Sequence, residues 1–238
     1  MVAATRLASR LHDRAKPRRV LDVGCGRGYL LRQFRTMGWM TSGIDIKGSP
    51  IPVGDPDLDC REGDASSLPW PAGHFDLVVI NHVLEHVADP WMACAEAARV
   101  LRSGGILYVG VPNYGSLQQR LFGTLWFPLE IPRHLYHFSP LSLRVLAETA
   151  GFTVMRQSTR SYRQGMFGFI QSTLDVLDRA HPGFLLSLLK GKSKAFSARA
   201  LLHVLVGVLL APVAFMETSI AWALGRGSVV VLVCQKNP

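Results

Sequence analysis

The sequence lacks the cysteine pattern of a secreted, disulfide-stabilised protein or of a zinc knuckle. Its four cysteines contain no C-x-x-C pair and lie far apart, at Cys25, Cys60, Cys94 and Cys234. This spacing indicates reduced thiols, and we expect a cytoplasmic protein. The first 20 residues also lack an apolar run, so we expect no secretory signal there.

Negative charge is scarce in two segments. Residues 1–19 carry six Lys or Arg against Asp13 alone, and residues 161–227 carry seven against three acidic residues. The net charge of the whole chain is +9. Such segments attract anionic partners, namely membrane headgroups, nucleic acid or an acidic substrate. The alternative interpretation is a solvated basic surface.

Apolar, β-branched runs alternate with helical patterns over residues 20–160, and no repeat is present. The alternation predicts an α/β fold with a mostly parallel sheet covered by helices on both faces. One predicted helix has Asp89 as its N-cap and Gly104-Gly105 as its stop. We expect four segments: a basic N-terminal segment 1–19, a core 20–160, an apolar helical insertion 161–227, and a last core strand 228–238.

A glycine-rich turn follows the first predicted strand, in the stretch DVGCGRGY from Asp22 to Tyr29. Glycines tolerate positive φ angles and let a ligand approach the backbone. The pattern is G-x-G-x-G, and not the G-x-G-x-x-G of a dinucleotide site. Alone, it is weak evidence for a binding site.

Three carboxylates follow the ends of three successive predicted strands. Asp45 lies 17 residues beyond Gly28, where a carboxylate can accept both hydroxyl groups of a ribose. Asp64 can meet an adenine amino group, and Asp22 can face a ligand ammonium. Together with the glycine turn, they predict a site for a positively charged nucleoside.

At these residues the sequence resembles the class I S-adenosylmethionine-dependent methyltransferases, in the small-molecule branch that includes ubiquinone-biosynthesis O-methyltransferases. The matching stretches are VLDVGCGRGYL, GIDI, EGDASSLPWPAGHFDLVV, NHVLEHV, RVLRSGGILYVGVPN and the later RHLYHFSPLSLRVLAETAGF. The resemblance covers residues 15–160 and the final strand. It implies a Rossmann-like sheet of seven strands with an antiparallel last strand, SVVVLVCQK, and S-adenosyl-L-methionine as cofactor.

The resemblance also implies which residues bind that cofactor. The first turn would line its methionine part, Asp45 its ribose, and Asp64 with Ala65 its adenine. The implied cofactor-binding residues are Asp22, Gly24, Cys25, Gly26, Gly28, Asp45, Ile46, Asp64, Ala65, Asn81 and His82.

The segment NHVLEHV contains His82-x-x-Glu85-His86, the spacing of the inverted zinc peptidases. A peptidase needs this motif within a long helix, whereas here a strand precedes it and Asp89-Pro90 starts a new helix directly after it. We therefore reject a peptidase. Some relatives in quinone biosynthesis hold a divalent metal at a comparable segment, but we predict local hydrogen bonds and no metal.

Three histidines are candidates for a base that removes the proton of the acceptor, because the pKa of histidine lies near the operating pH. They are His86, His134 and His137, and each can instead be a packed structural histidine. Arg133 can bind an anionic substrate group.

The 17 residues 200–216 carry no charge, which approaches the length of a transmembrane helix. If this segment crossed a membrane once, the last strand would lie on the other side of the membrane from the rest of its sheet. Three interpretations stay open for this region: a lid over a lipophilic substrate, a membrane contact through 184–226, or a buried or oligomeric helix. Lys190, Lys192, Lys194, Arg199 and Arg226 favour contact with anionic headgroups at the inner face of a membrane.

The predicted function is methyl transfer to a small acceptor, lipid-linked or isoprenoid, with O-methylation favoured. The alternatives are a catalytically inactive methyltransferase-like binding module and an RNA methyltransferase. DNA is not expected as a partner, since the fourth strand ends INHVLEH, without the proline-rich clamp of base methyltransferases. The oligomeric state stays open.

Overall fold

The computed structural model describes residues 4–5, 18–50, 58–191 and 197–238 of the chain. The strands are β1 (Arg19–Val23), β2 (Met40–Asp45), β3 (Asp59–Glu62), β4 (Phe75–Asn81), β5 (Leu101–Pro112), β6 (Phe152–Ser158) and β7 (Val229–Lys236). The helices are α1 (Tyr29–Thr36), α2 (Pro90–Val100), α3 (Leu117–Phe122), α4 (Pro140–Thr149), α5 (Tyr162–Leu177), α6 (Phe184–Leu189) and α7 (Ala198–Ala223). Most of the basic segment 1–19, and Lys192 and Lys194, lie outside the described residues.

The seven strands form one sheet in the order β3-β2-β1-β4-β5-β7-β6. Strands β1 to β5 pair in parallel, and β7 is antiparallel and lies between β5 and β6. The predicted Rossmann-like fold, with its inserted last strand, is confirmed. The direction of winding reverses between β1 and β4, which is where such sheets bind ligands.

The core forms because β1 and β4 bury apolar side chains at consecutive positions. Val20, Leu77 and Val79 pack in one cluster with Phe34 of α1 and with Trp39, whose ring centroid lies 5.9 Å from that of Phe34. A second cluster joins Cys25, Leu31 and Leu58. Strands that are buried in this way read as continuous apolar runs, which explains the clear strand signal of the sequence.

The predicted stop of α2 at Gly104-Gly105 is wrong, because the helix ends at Val100 and β5 starts at Leu101. Leu101 is fully buried and pairs with Phe75, and the pairing register shifts before Leu77. The two glycines therefore lie inside β5, where Gly104 adopts a φ of 68°. The predicted start of α2 is confirmed, since the Asp89 carboxylate accepts a hydrogen bond from the Met92 N–H at 2.9 Å.

The chain divides into two compact units. The core unit comprises Met1–Val111, Leu141–Gln157 and Val231–Pro238, and the helical unit comprises Pro112–Pro140 and Ser158–Val230. The predicted apolar helical insertion between β6 and β7 is confirmed, since α5, α6 and α7 lie there. The sequence did not predict that residues 112–140, with α3 and two short 3-10 helices, belong to the same unit.

Candidate active site

The carboxyl ends of β1 to β4 lie at one edge of the sheet. Val23 at the end of β1 is in register with Ile44 of β2 and Ile80 of β4, and Asp45 is in register with Glu62 of β3. Because these strands are parallel, the loops that follow them share this edge. Every residue of the predicted cofactor set lies on or directly after one of these four strands.

Backbone groups of the glycine turn hold the Asp45 carboxylate. The N–H of Gly26 donates to Oδ2 at 2.7 Å, and the N–H of Ile46 donates to Oδ1 at 2.8 Å. The N–H groups of Gly24 and Cys25 donate to the Ile44 carbonyl at 2.8 and 3.2 Å. The turn after β1 and the end of β2 therefore form one hydrogen-bonded structure.

Two of the glycines in this turn serve different purposes. Gly24 has a φ of 76°, and a Cβ atom there would overlap Cγ2 of Val83, which follows β4. Gly26 has a φ of 49°, but its Cβ would meet no atom within 4 Å. Gly24 is thus required for packing, whereas Gly26 leaves open space beside the backbone, where a ligand can approach.

Asp22 is a buried carboxylate. Burial, and then the nearby charge of Asp45, raise its pKa from 3.8 to about 7. A cationic ligand beside Asp22 would offset both effects, since an opposite charge favours the ionised form. The environment of Asp22 therefore suits a positively charged ligand.

The loop after β3 contains a hydrogen-bonded carboxylate, Asp64, and the small residue Ala65, and an apolar residue, Ile46, follows the neighbouring β2. Oδ1 of Asp64 accepts hydrogen bonds from the N–H and Oγ of Ser66 at 2.7 and 2.6 Å, and these bonds lower its pKa. Ala65 is buried, and Ile46 at the end of β2 is 64% exposed. An exposed apolar residue next to Asp45 offers a surface against which a flat aromatic group can pack.

A tight turn follows β4, as the sequence context predicted. His82 has a φ of 57°, and its N–H donates to the Gly110 carbonyl at 2.8 Å. Its Nδ1 lies 3.2 Å from Oε1 of the buried Glu85. The N–H of His86 closes the turn on the Val83 carbonyl at 2.8 Å, and α2 begins at Pro90. No long helix holds the motif, as predicted. The absence of a peptidase activity and the absence of a metal stay predictions.

His134 and His137 lie together in the helical unit, with ring centroids 6.4 Å apart, while His86 belongs to the core unit. Nδ1 of His134 lies 2.8 Å from the Pro128 carbonyl, and Nε2 of His137 lies 3.0 Å from the Leu129 carbonyl. Because a carbonyl oxygen only accepts, the nitrogen that faces it carries the proton. In the neutral rings, the other nitrogen of each histidine is therefore the basic one.

Arg133 forms an ion pair that sequence reasoning missed. Its Nη1 lies 2.6 Å from Oε2 of Glu130, a residue with a φ of 35°. The only sequence signal was the spacing of three between opposite charges, which is common at surfaces. Val83 was also missed, because its contact with Gly24 joins two strand ends that are distant in sequence.

Comparison with known proteins identifies relatives of this chain. The model of the family described as "Methyltransferase domain" matches residues 2–157. The probable S-adenosylmethionine-dependent methyltransferase of Mycolicibacterium smegmatis is 33% identical over 148 residues, which cover 61% of this chain and 56% of the relative. The ubiquinone biosynthesis O-methyltransferase of Thiobacillus denitrificans is 28% identical over 162 residues, 61% of this chain and 68% of the relative. The chain thus spans little more than half the length of the mycobacterial relative.

A solved structure supports the fold assignment. Phosphoethanolamine N-methyltransferase 2 of Haemonchus contortus, crystallised with S-adenosyl-L-methionine, superposes with a TM-score of 0.59. The superposition covers 94% of this chain and 49% of the other, at 16% sequence identity. At this identity the likeness concerns the fold alone.

Proposed function

The chain belongs to the methyltransferase domain family, and we propose that it transfers a methyl group from S-adenosyl-L-methionine to a hydroxyl group of a small acceptor. The observation that carries the proposal is the hydrogen-bonded edge of the sheet, where the glycine turn holds Asp45 beside the buried Asp22. We further propose that the acceptor is lipid-linked or isoprenoid. The name of the Thiobacillus denitrificans relative supports this acceptor class.

The residues at this edge fit the proposed cofactor. Asp45 would accept hydrogen bonds from the ribose hydroxyls, and Asp22 would face the ammonium group. Asp64 and Ala65 would contact the adenine, and Ile46 would pack against its face. The open space beside Gly26 admits the methionine part, with Gly28 and Cys25 in the same turn, and Asn81 and His82 border the site from β4.

The bound cofactor supplies an activated methyl group, so the chain has to align the acceptor, exclude water and accept a proton. We propose that His86, His134 or His137 accepts that proton. The carbonyl contacts of His134 and His137 fix the orientation of the two rings. Arg133 would bind an anionic group of the acceptor, and Glu130 would orient its guanidinium. The four free cysteines support a cytoplasmic site of action.

The test is transfer of a radiolabelled methyl group from S-adenosylmethionine to a bacterial lipid extract, to water-soluble metabolites and to RNA, each assayed separately. We expect label in a lipid fraction that resists cleavage as an ether would. Asp45→Ala should reduce transfer at subsaturating cofactor by roughly 30-fold, the effect of losing about 2 kcal/mol of hydrogen bonding to a charged group.

The matched control is Asp59→Ala, which removes an exposed carboxylate at the opposite end of the neighbouring strand. It should leave the transfer rate unchanged. Cofactor binding without transfer to any extract would contradict an enzymatic function, and label in RNA alone would contradict the proposed acceptor.

A further inference from the structure

Helix α7 exposes its apolar side chains to the outside of the helical unit. It is long and apolar enough to cross a membrane, yet only 17% of its most apolar 18-residue stretch is buried. The exposed large apolar residues run along its whole length: Leu201, Leu202, Val204, Leu205, Val208, Leu209, Val213, Phe215, Met216, Ile220 and Trp222. A surface helix of a water-soluble protein has the opposite arrangement, with its apolar side inward.

The inner side of α7 carries its polar residues. Nε2 of Gln118 donates to Oε2 of the buried Glu217 at 2.7 Å and to the Gly165 carbonyl at 2.9 Å. Farther along the helix, Nε2 of the buried His203 lies 3.3 Å from Asp178. These contacts fix the rotation of the helix, because turning the apolar side inward would leave Glu217 and His203 without them.

Basic residues lie at both ends of α7. At its start, Arg199 pairs with Asp178 at 3.2 Å, and Lys190 directly follows α6. At its other end, Arg226 is exposed and the guanidinium of Arg160 lies 4.3 Å from the ring centroid of Trp222. A tryptophan beside a cation is typical of the interface between headgroups and acyl chains.

We propose that α7 lies in the plane of an anionic bilayer surface, with its apolar side among the acyl chains and the flanking cations among the headgroups. Its 26 residues span about 39 Å along that surface. Helices of this type bind through buried apolar area together with attraction to anionic lipids. The proposal rests on the helical unit and does not depend on the proposed methyl transfer.

An in-plane position fits the chain better than a transmembrane one. Strand β7 follows α7 after five residues and lies beside β6 in the sheet, so the chain returns to the side that it left. Helix α5 packs along α7, where the rings of Tyr162 and Phe215 stack at 5.6 Å. A crossing would therefore carry α5, with its buried Asp175 and Gln171, into hydrocarbon as well.

Anionic lipid also suits this surface better than a second copy of the chain. If two α7 helices paired side by side, either orientation would bring basic residues of one copy against basic residues of the other. From Val204 to Met216 the exposed side chains offer no hydrogen-bonding group, whereas protein interfaces carry about one hydrogen bond per 100–200 Å². A bilayer supplies both the apolar contact and the negative charge.

The test is flotation of the full chain with two kinds of vesicle: neutral phosphatidylcholine alone, and phosphatidylcholine mixed with anionic phosphatidylglycerol. We expect binding to the anionic vesicles that weakens with salt. The double variant Leu205→Glu/Leu209→Glu should lower the partition coefficient by roughly tenfold or more, because it removes two leucines that would enter the acyl chains and adds two negative charges.

The matched control is Leu141→Glu/Val145→Glu, with the same spacing and the same charge change on α4. The two pairs are equally exposed, at 54% and 68% for Leu205 and Leu209 and at 70% and 52% for Leu141 and Val145. The control should float like the wild type, and both variants should show wild-type unfolding midpoints.

Three results would overturn the proposal. One is equal flotation of the two double variants. Another is retention of the wild type on vesicles after alkaline carbonate extraction, which would indicate a transmembrane helix. The third is a wild-type dimer that does not bind vesicles and that Leu205→Glu/Leu209→Glu turns into a monomer. The assay contains no cofactor, so failure of the proposed reaction would not affect it.

Discussion

At the scale of single residues, the buried carboxylate of Asp22 suits a cationic ligand but lowers the stability of the cofactor-free protein when it is ionised. Its pKa is raised to about 7 by burial and by Asp45. A group with a raised pKa stabilises the folded state at low pH and loses that contribution as the pH rises through the folded pKa. Here the loss extends from about pH 4, the ordinary value for aspartate, to about pH 7.

We therefore predict that Asp22→Asn stabilises the cofactor-free protein, and more so at high pH. Three pKa units correspond to at most about 4 kcal/mol, reached above pH 7, with little difference at pH 4. Urea unfolding midpoints of wild type and variant between pH 4 and 8 measure this. A difference that stays constant over this range would contradict the altered pKa.

The same variant should bind the cofactor more weakly, since the amide cannot neutralise an ammonium group. Stability and binding would then change in opposite directions, as expected for a residue kept for function. If Asp22→Asn lowered both the stability and the cofactor affinity, Asp22 would instead have a structural role.

The residue scale also shows what a sequence can and cannot predict about the site. The positions of Asp22, Asp45 and Asp64 at or beside strand ends were predictable, because strong strand signals locate those ends. Their role in cofactor binding stays a prediction. The different purposes of Gly24 and Gly26 were not predictable, because they depend on Val83 and on open space. The ion pair of Glu130 with Arg133 depends on an unusual backbone conformation that no local pattern indicates.

At the scale of elements, the helix that follows β4 depends on its N-cap. The Asp89 carboxylate accepts the Met92 N–H, and Pro90 occupies the first helical position. Start signals of this kind are local, which explains why the start of α2 was predicted correctly. The end of α2 was predicted wrongly, because it depends on the pairing of the buried Leu101 with Phe75, a residue distant in sequence.

We predict that Asp89→Ala lowers the free energy of unfolding by about 1 kcal/mol, the usual cost of losing an N-cap. Urea denaturation at pH 7 measures the loss. Glu148→Ala is the control, since that exposed carboxylate lies 3.7 Å from Arg144 and should contribute little. Equal effects of the two changes would argue against the capping role.

At the scale of the whole molecule, the two units differ in how well the sequence specifies them. The core unit has buried strands and motifs of fixed spacing, and both were evident from the sequence. The rotation of α7 about its axis was not evident, because residues 200–216 are apolar apart from His203 and contain no amphipathic pattern. Contacts with other parts of the helical unit, such as Gln118 with Glu217, determine which side faces outward.

The proposed methyl transfer requires a cofactor bound where β1 and β2 end. Isothermal titration with S-adenosylhomocysteine tests this most directly, because it requires no knowledge of the acceptor. We predict a one-to-one isotherm for the wild type and for Asp59→Ala, and for Asp45→Ala a Kd weakened by roughly 30-fold, or about 2 kcal/mol. No heat of binding to the wild type, or identical isotherms for wild type and Asp45→Ala, would contradict it.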